Sequence, residues 1–321
     1  MQNSTTTVIK SISDALSISI EESELIYDKA VAGGEIEAVG SEEDWLTKRF
    51  LPNCVIIDEA GYTKMCIDAL KILSTTAATD YGSSRQRDLG QLWADMTRGY
   101  IGELAFIIFL KRKWKINGLL AHQKGKLEDF LSRDLHLIRD PMGEDRKPRI
   151  NISFKTTKWN GIWLDIPGDQ FDHSDVHILI KVGTGRDHLF AFFKKISVFK
   201  DKILKKGEEV GSLTSSESES LFDNLPNFTP IPSYICGYVL RDNEYSDLSY
   251  KGHKGIKHYT ITGWNGPVNK GDIEIIKSKE RIAGKVEFLG IRKFAHEKGY
   301  LFNTGCLKWS EDDWNKIIDK I

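Results

Sequence analysis

Cysteine is scarce in this 321-residue chain. Cys54, Cys66, Cys236 and Cys306 lie far apart and form no CxxC pair, which argues against a disulfide framework or a cysteine-built zinc site and fits a reducing compartment. Long apolar runs are missing too. The longest, Leu104 to Leu110, has seven residues, against roughly 18 for a membrane span. The opening MQNSTTTVIK holds no apolar segment of the secretory-signal kind, so a cytoplasmic protein with no membrane partner is expected. Neither sign of charge dominates, with 45 Lys and Arg against 46 Asp and Glu. No GxxxxGK[ST] is present, which disfavours an ATP-driven motor, and no GxSxG, which removes a hydrolase elbow. The eight histidines form no convincing metal pair; His173 and His177 read as structural.

What is present is an ordinary folded composition, 40% hydrophobic and 28% charged, with 15 Phe, 10 Tyr and 8 Trp to bury. The length suggests about two domains, or one with large additions. Charge is uneven along it. Residues 1–60 carry 12 acids and 4 bases, and the remainder 34 acids and 41 bases. A mildly basic body suits a polyanionic partner. Apolar spacing predicts helices over 20–32, 41–50, 64–77, 85–114 and 309–321, the last capped by Ser310. Short β-branched or aromatic runs predict strands at 135–138, 149–155, 162–166, 176–182, 189–193, 233–240, 258–263, 272–276 and 286–291. Residues 205–232, with SLTSSESES and three of the eight prolines, read as a linker. The expected plan is a helical region over 1–80, an α/β core over 81–204 and a β-rich module over 233–321.

The chemistry-bearing stretch is SRDLHLIRDPMGEDRKPRINISFKTTKWNGIWLDIP, Ser132 to Pro167. As an antiparallel hairpin with 138 opposite 150, it sets Asp134 opposite Phe154, beside Ser153 and Lys155. The period of two sends Ile150, Ile152 and Phe154 to one face and Asn151, Ser153 and Lys155 to the other. Asp140 is a rival acid, placed in the turn. Glu103, in the helical run RGYIGELAFIIFL, has glycine and apolar neighbours one turn away, so its carboxylate needs an interior partner.

The order of these pieces resembles the PD-(D/E)xK nucleases, and within them the type II restriction endonucleases, over roughly residues 85–200. The carriers are Gly102-Glu103-Leu104-Ala105 on a helix, Asp134 opening a strand, and the run ISFKTTKWNGIWLDIP. Two positions depart from the family pattern: Ser153 stands where an acid is usual, and Arg133 where a proline is usual. The resemblance implies a restriction-endonuclease-like mixed sheet flanked by helices. It also implies Mg²⁺-dependent hydrolysis of double-stranded DNA, with Glu103 and Asp134 as metal ligands and Lys155 stabilising charge on the phosphate. Ser153 would hold a metal-bound water. Asp165 is the alternative to Glu103. A twofold homodimer would cut both strands, with the acidic N-terminal helices as candidate contacts. The same fold could instead be a catalytically inactive DNA-binding protein, and an interaction protein with no nucleic-acid role is the remaining class.

Outside this stretch, KRKWK at 111–115 reads as a helix C-terminus. YKGHKGIKHYTITGWNGPVNKG, Tyr250 to Gly271, combines Lys251, Lys254 and Lys257 with Trp264. These four, with Lys158, are the candidate DNA contacts; the plain alternative is an exposed hairpin with ordinary lysines.

Overall fold

A computed structural model describes residues 2–73, 88–120, 134–139, 143–243, 245, 250–291 and 297–321. The chain opens with helices α1 (Gln2–Leu16), α2 (Ile20–Ala32), α3 (Glu35–Val39) and α4 (Glu42–Asp44). Ser19 and Ser41 cap α2 and α4, each hydroxyl accepting a backbone N–H three residues on. A π-helical turn, Trp45–Phe50, leads into strand β1 (Cys54–Ile57). Then come α5 (Glu59–Leu73) and the long α6 (Leu89–Trp114), capped by Asp88. The basic end of α6 holds the chain before and at the start of β1: Arg112 donates to the carbonyls of Pro52 and Cys54, and Lys113 to Asn53.

The middle supplies β2 (Asn117–Leu120), β3 (Leu135–Arg139), β4 (Asp145–Arg146), β5 (Ile152–Thr157), β6 (Trp163–Pro167), α7 (Gly168–Phe171), β7 (Val176–Val182) and α8 (Arg186–Lys195). After a second π-helical turn, Phe199–Leu204, come α9 (Lys205–Glu209), α10 (Ser215–Asp223) and β8 (Ile231–Leu240). The chain ends with β9 (Tyr250–Lys254), β10 (His258–Asn269), α11 (Lys270–Lys279), β11 (Lys285–Phe288), β12 (Lys298–Asn303) and α12 (Glu311–Ile318), capped by Ser310 as expected.

Among the described residues the strands form three mixed or antiparallel sheets, so the fold is α/β. One sheet runs β1-β8-β7-β5, with β5 parallel to β7 and the other pairs antiparallel. A second runs β11-β10-β12-β6, with β9 also on β10. The third is β2-β3-β4. The first sheet is a wall between two cores. Ile152, Phe154, Ile178 and Ile180 meet α5, α6 and α12 on one face, around Phe106, Phe109 and Trp314. Leu179, Tyr234 and Cys236 meet the N-terminal helices, β6 and β12 on the other. Among the described residues no helix is long and apolar enough to cross a membrane.

Three expected elements differ. Residues 189–193, an expected strand, belong to α8: Gly185 precedes it, Asp187 sits in its first turn, Lys194 and Lys195 in its last, and these end signals outweigh an aromatic run. Residues 272–276 belong to α11, because the Asp272 carboxylate turns back to accept the Asn269 N–H at 2.6 Å. The expected linker holds α9 and α10. Thr214 and Glu217 form a capping box, the Thr214 N–H donating to the Glu217 carboxylate at 2.8 Å and the Glu217 N–H to the Thr214 hydroxyl at 3.2 Å. Nor does that stretch separate the sheets. β8, on its far side, pairs with β7, while β6, on its near side, pairs with β12.

Candidate active site

Strand β5 is the edge of its sheet, and its side chains divide between the two cores. The Phe154 ring packs on Phe106 of α6 with centroids 5.0 Å apart. One turn earlier on α6, Gly102 passes so close to Thr156 that an added Cβ would lie 2.3 Å from its hydroxyl. These contacts fix Ile152, Phe154 and Thr156 toward α6, so Ser153 and Lys155 face away from it. The β7 partner of Lys155 is Leu179, in the second core, whereas the partner of Phe154 is Ile178, in the first.

Asp134 meets β5 at this point. Its N–H donates to the Ile152 carbonyl at 3.1 Å, and its carboxylate accepts the Phe154 N–H at 2.6 Å. The expected juxtaposition of Asp134 with 152–155 is therefore present, but the hairpin that was to create it is not. β3 turns into β4 instead, with Ile138 opposite Arg146 and Arg139 opposite Asp145, and pairs with β2 on its other side. The Arg139 guanidinium closes that turn on the Asp145 carboxylate at 2.7 and 2.9 Å. Backbone donors before β5 are committed elsewhere: Arg149 N–H to the Lys320 carbonyl and Asn151 N–H to the Asp175 carboxylate. Residues 149–151 thus cannot zip onto 138.

Lys155 donates to the Gln170 side-chain oxygen of α7 at 2.5 Å. The charges acting on Lys155 are Asp134 and Asp165 of β6. Burial pushes the Asp134 carboxyl above its usual range, against the opposing pull of the Phe154 N–H, Lys155 and the Ser153 hydroxyl. Burial likewise pushes the Lys155 ammonium below its usual range, against the pull of the two carboxylates. His177 borders the group. Its ring stacks on Phe171, with Nε2 3.1 Å from the Phe171 carbonyl oxygen, and burial pushes it down to about 4. It is neutral at pH 7.

The second acid at this group is Asp165. Glu103 is half-buried on α6, the helix that packs on the Phe154 face of β5, and its charge acts on Tyr100. Asp140 lies outside the described residues. Gln170 was not anticipated. It sits five residues past Asp165 in a four-residue helix, and only the turn from β6 into α7 brings it to Lys155.

Two carboxylates, an amide oxygen and a hydroxyl are hard oxygen donors, the set that suits Mg²⁺. Among the described residues no three His, Cys, Asp or Glu side chains cluster to hold an ion. An ion held here would therefore have one or two protein carboxylates with water completing its shell, an arrangement Mg²⁺ accepts.

Of the proposed DNA contacts, Lys158 is exposed at the end of β5, beside a cavity of about 250 Å³ that Arg98 and Arg186 also line. Lys251 and Lys254 are exposed on β9, and Lys257 in the turn that follows it. Trp264 departs from expectation. It is 2% exposed, packs edge-on against Phe288 at 5.4 Å, and donates its indole N–H to the Pro267 carbonyl. It is a core ring and offers no open face for stacking. Set against protein-family models, curated proteins and solved structures, the chain matches none of them.

Proposed function

We propose that this protein is a Mg²⁺-dependent DNA endonuclease with a restriction-endonuclease-like core, acting through Asp134, Lys155 and Asp165. The observation that carries the reading is a lysine on a rigid strand between two carboxylates, one of them clamped by the backbone N–H of the neighbouring residue. The order of elements supports it: α6, then Asp134 at the head of β3, then Lys155 on β5. Asp134 and Asp165 would hold the metal, with Ser153 and Gln170 positioning water and the lysine. When bound, Mg²⁺ supplies polarisation of a phosphate oxygen and a lowered pKa for a coordinated water. Lys155 faces the negative charge that builds on the phosphate during attack, or holds the attacking water in line. An arriving phosphate raises the affinity of Lys155 for its proton, which opposes the effect of burial. A twofold dimer would bring two such sites to the two strands.

A second reading rests on a specific feature. The Lys155 ammonium already stands with the two acids and offsets one of their charges, which lessens the need for a metal and would suit a non-catalytic DNA-binding protein. Methylated and unmethylated plasmids, each incubated with and without Mg²⁺, separate the two. The nuclease reading expects nicked or linear product with Mg²⁺ alone. Salt-dependent DNA binding without cleavage of either plasmid would overturn it in favour of the second.

A further inference from the structure

The most exposed large hydrophobic side chain described in the molecule is Ile256, fully open to solvent; the next, Leu89, is 69% exposed. It stands at the tip of the β9–β10 hairpin, where the Gly255 N–H donates to the His258 carbonyl at 2.8 Å and closes the turn. Tight turns ordinarily carry polar residues or glycine at their outermost position. Here a β-branched aliphatic projects instead, between exposed Lys254 and Lys257 and flanked by exposed His253 and His258. From Tyr250 to Gly271 the chain has four lysines and no acid.

The hairpin is braced from both sides. The Lys251 ammonium meets the Glu37 carboxylate at 2.7 Å, Lys254 donates to the Glu280 carbonyl at 2.7 Å, and the Tyr250 hydroxyl donates to the Glu280 carboxylate at 2.6 Å. At its base lies a cavity of about 910 Å³, between the hairpin and α2 and α3. Its lining mixes the Tyr250 ring with the hydroxyls of Thr260 and Thr262 and the amides of Asn265 and Asn303. Flat apolar surface with a few donors and acceptors, in this size range, suits a planar heterocycle. The cavity-lining His253 is three residues from Ile256, about 10 Å along an extended strand.

We propose that the hairpin is a wedge for duplex DNA: Ile256 enters the base stack, Lys254 and Lys257 take the flanking phosphates, and the displaced base lodges in the cavity. An apolar side chain inserted between base steps, with cations on the adjoining backbone, is a general way to unstack a duplex. β9 and β10 share a sheet with β12 and β6, so the wedge and Asp165 ride on one framework. The proposal rests on DNA as the partner, and not on cleavage.

The test is binding in EDTA, where metal-dependent hydrolysis is absent. Two 30-base-pair duplexes are compared, one fully paired and one with a central mismatch beside a 2-aminopurine. A base that is already unpaired is easier to displace, so the protein should bind the mismatched duplex about tenfold more tightly. The probe should brighten and become shielded from acrylamide. Ile256→Ala should erase both the preference and the brightening while keeping affinity for the paired duplex. Lys257→Gln should weaken binding to both and lower the salt slope by about one. Equal affinities for the two duplexes, or an unchanged preference in Ile256→Ala, would overturn the wedge even in a protein that cleaves DNA. A bright but unshielded probe would overturn the lodging of the base. An Ile256→Ala protein with altered sedimentation and unaltered DNA binding would assign the tip to contact between copies, and also overturn the proposal. No binding to either duplex would remove DNA as the partner altogether.

Discussion

Replacing Glu35 by Gln should destabilise the protein strongly, and by an amount that depends on pH in a calculable way. Glu35 is fully buried. Its carboxylate accepts from Lys181 at 3.0 Å, from the Trp45 indole at 3.1 Å and from the Tyr234 hydroxyl at 2.9 Å, with the Arg49 guanidinium 3.9 Å away. Burial alone would raise its pKa, but Lys181 and Arg49 overcome that and hold it down at about 2, against an ordinary 4.5. A carboxyl depressed on folding stabilises the native state above its unfolded pKa, and that stability is lost as pH falls through the folded value. The shift corresponds to ~3 kcal/mol at pH 7, falling by roughly half at pH 3. Leaving two cations buried without their counter-charge puts the loss at pH 7 at about 3–5 kcal/mol. Urea unfolding of wild type and Glu35→Gln between pH 3 and 7 reads both quantities. Glu35→Gln combined with Lys181→Met should recover part of the loss, since one unpaired charge is then gone. A difference between the two proteins that stays flat from pH 7 to pH 3, or a single variant as stable as wild type, would refute the reasoning.

Other outcomes follow from the same geometry. Gly102→Ala should lower stability by about 1–3 kcal/mol, despite the better helix propensity, because its Cβ meets Thr156 at 2.3 Å; thermal unfolding measures it. Asp165→Asn should reduce Mg²⁺-dependent cleavage by about 10²-fold, while Glu103→Gln leaves it nearly unchanged; the reverse order would restore Glu103 to the site. Cleavage at fixed Mg²⁺ should rise with pH through a range above that of an ordinary aspartate, as Asp134 ionises. It should fall again at high pH, below the usual lysine range, as Lys155 loses its proton.

Much of the frame was legible because local signals and tertiary structure agree. Ser310 capping the last helix, the run Ile20–Ala32 and the β-branched, mostly apolar strand Val176–Val182 needed no distant information. Alternation along Ile152–Lys155 gave the two faces of β5. What could not be read was anything set by non-local pairing. Asp134 reaches Phe154 although β3 and β5 are not a hairpin, because the backbone donors at 149 and 151 are held by Lys320 and Asp175. Glu103 carried a true signal, an acid among apolar neighbours, yet α6 lies on the face of β5 away from Lys155. The Glu35–Lys181–Arg49 cluster left one trace, a lysine inside VHILIKV, which in an apolar strand asks for a buried partner. Trp264 looked like a stacking ring because composition does not say which face of a strand is covered.

The central claim turns on Lys155, and single-turnover cleavage of a plasmid at saturating protein tests it most directly. Lys155→Ala and wild type are compared in Mg²⁺, with DNA affinity measured separately in EDTA. Loss of one charge-stabilising group should slow cleavage by about 10²–10³-fold, with affinity essentially preserved. A Lys155→Ala protein that cuts at the wild-type rate would contradict the assignment of this site.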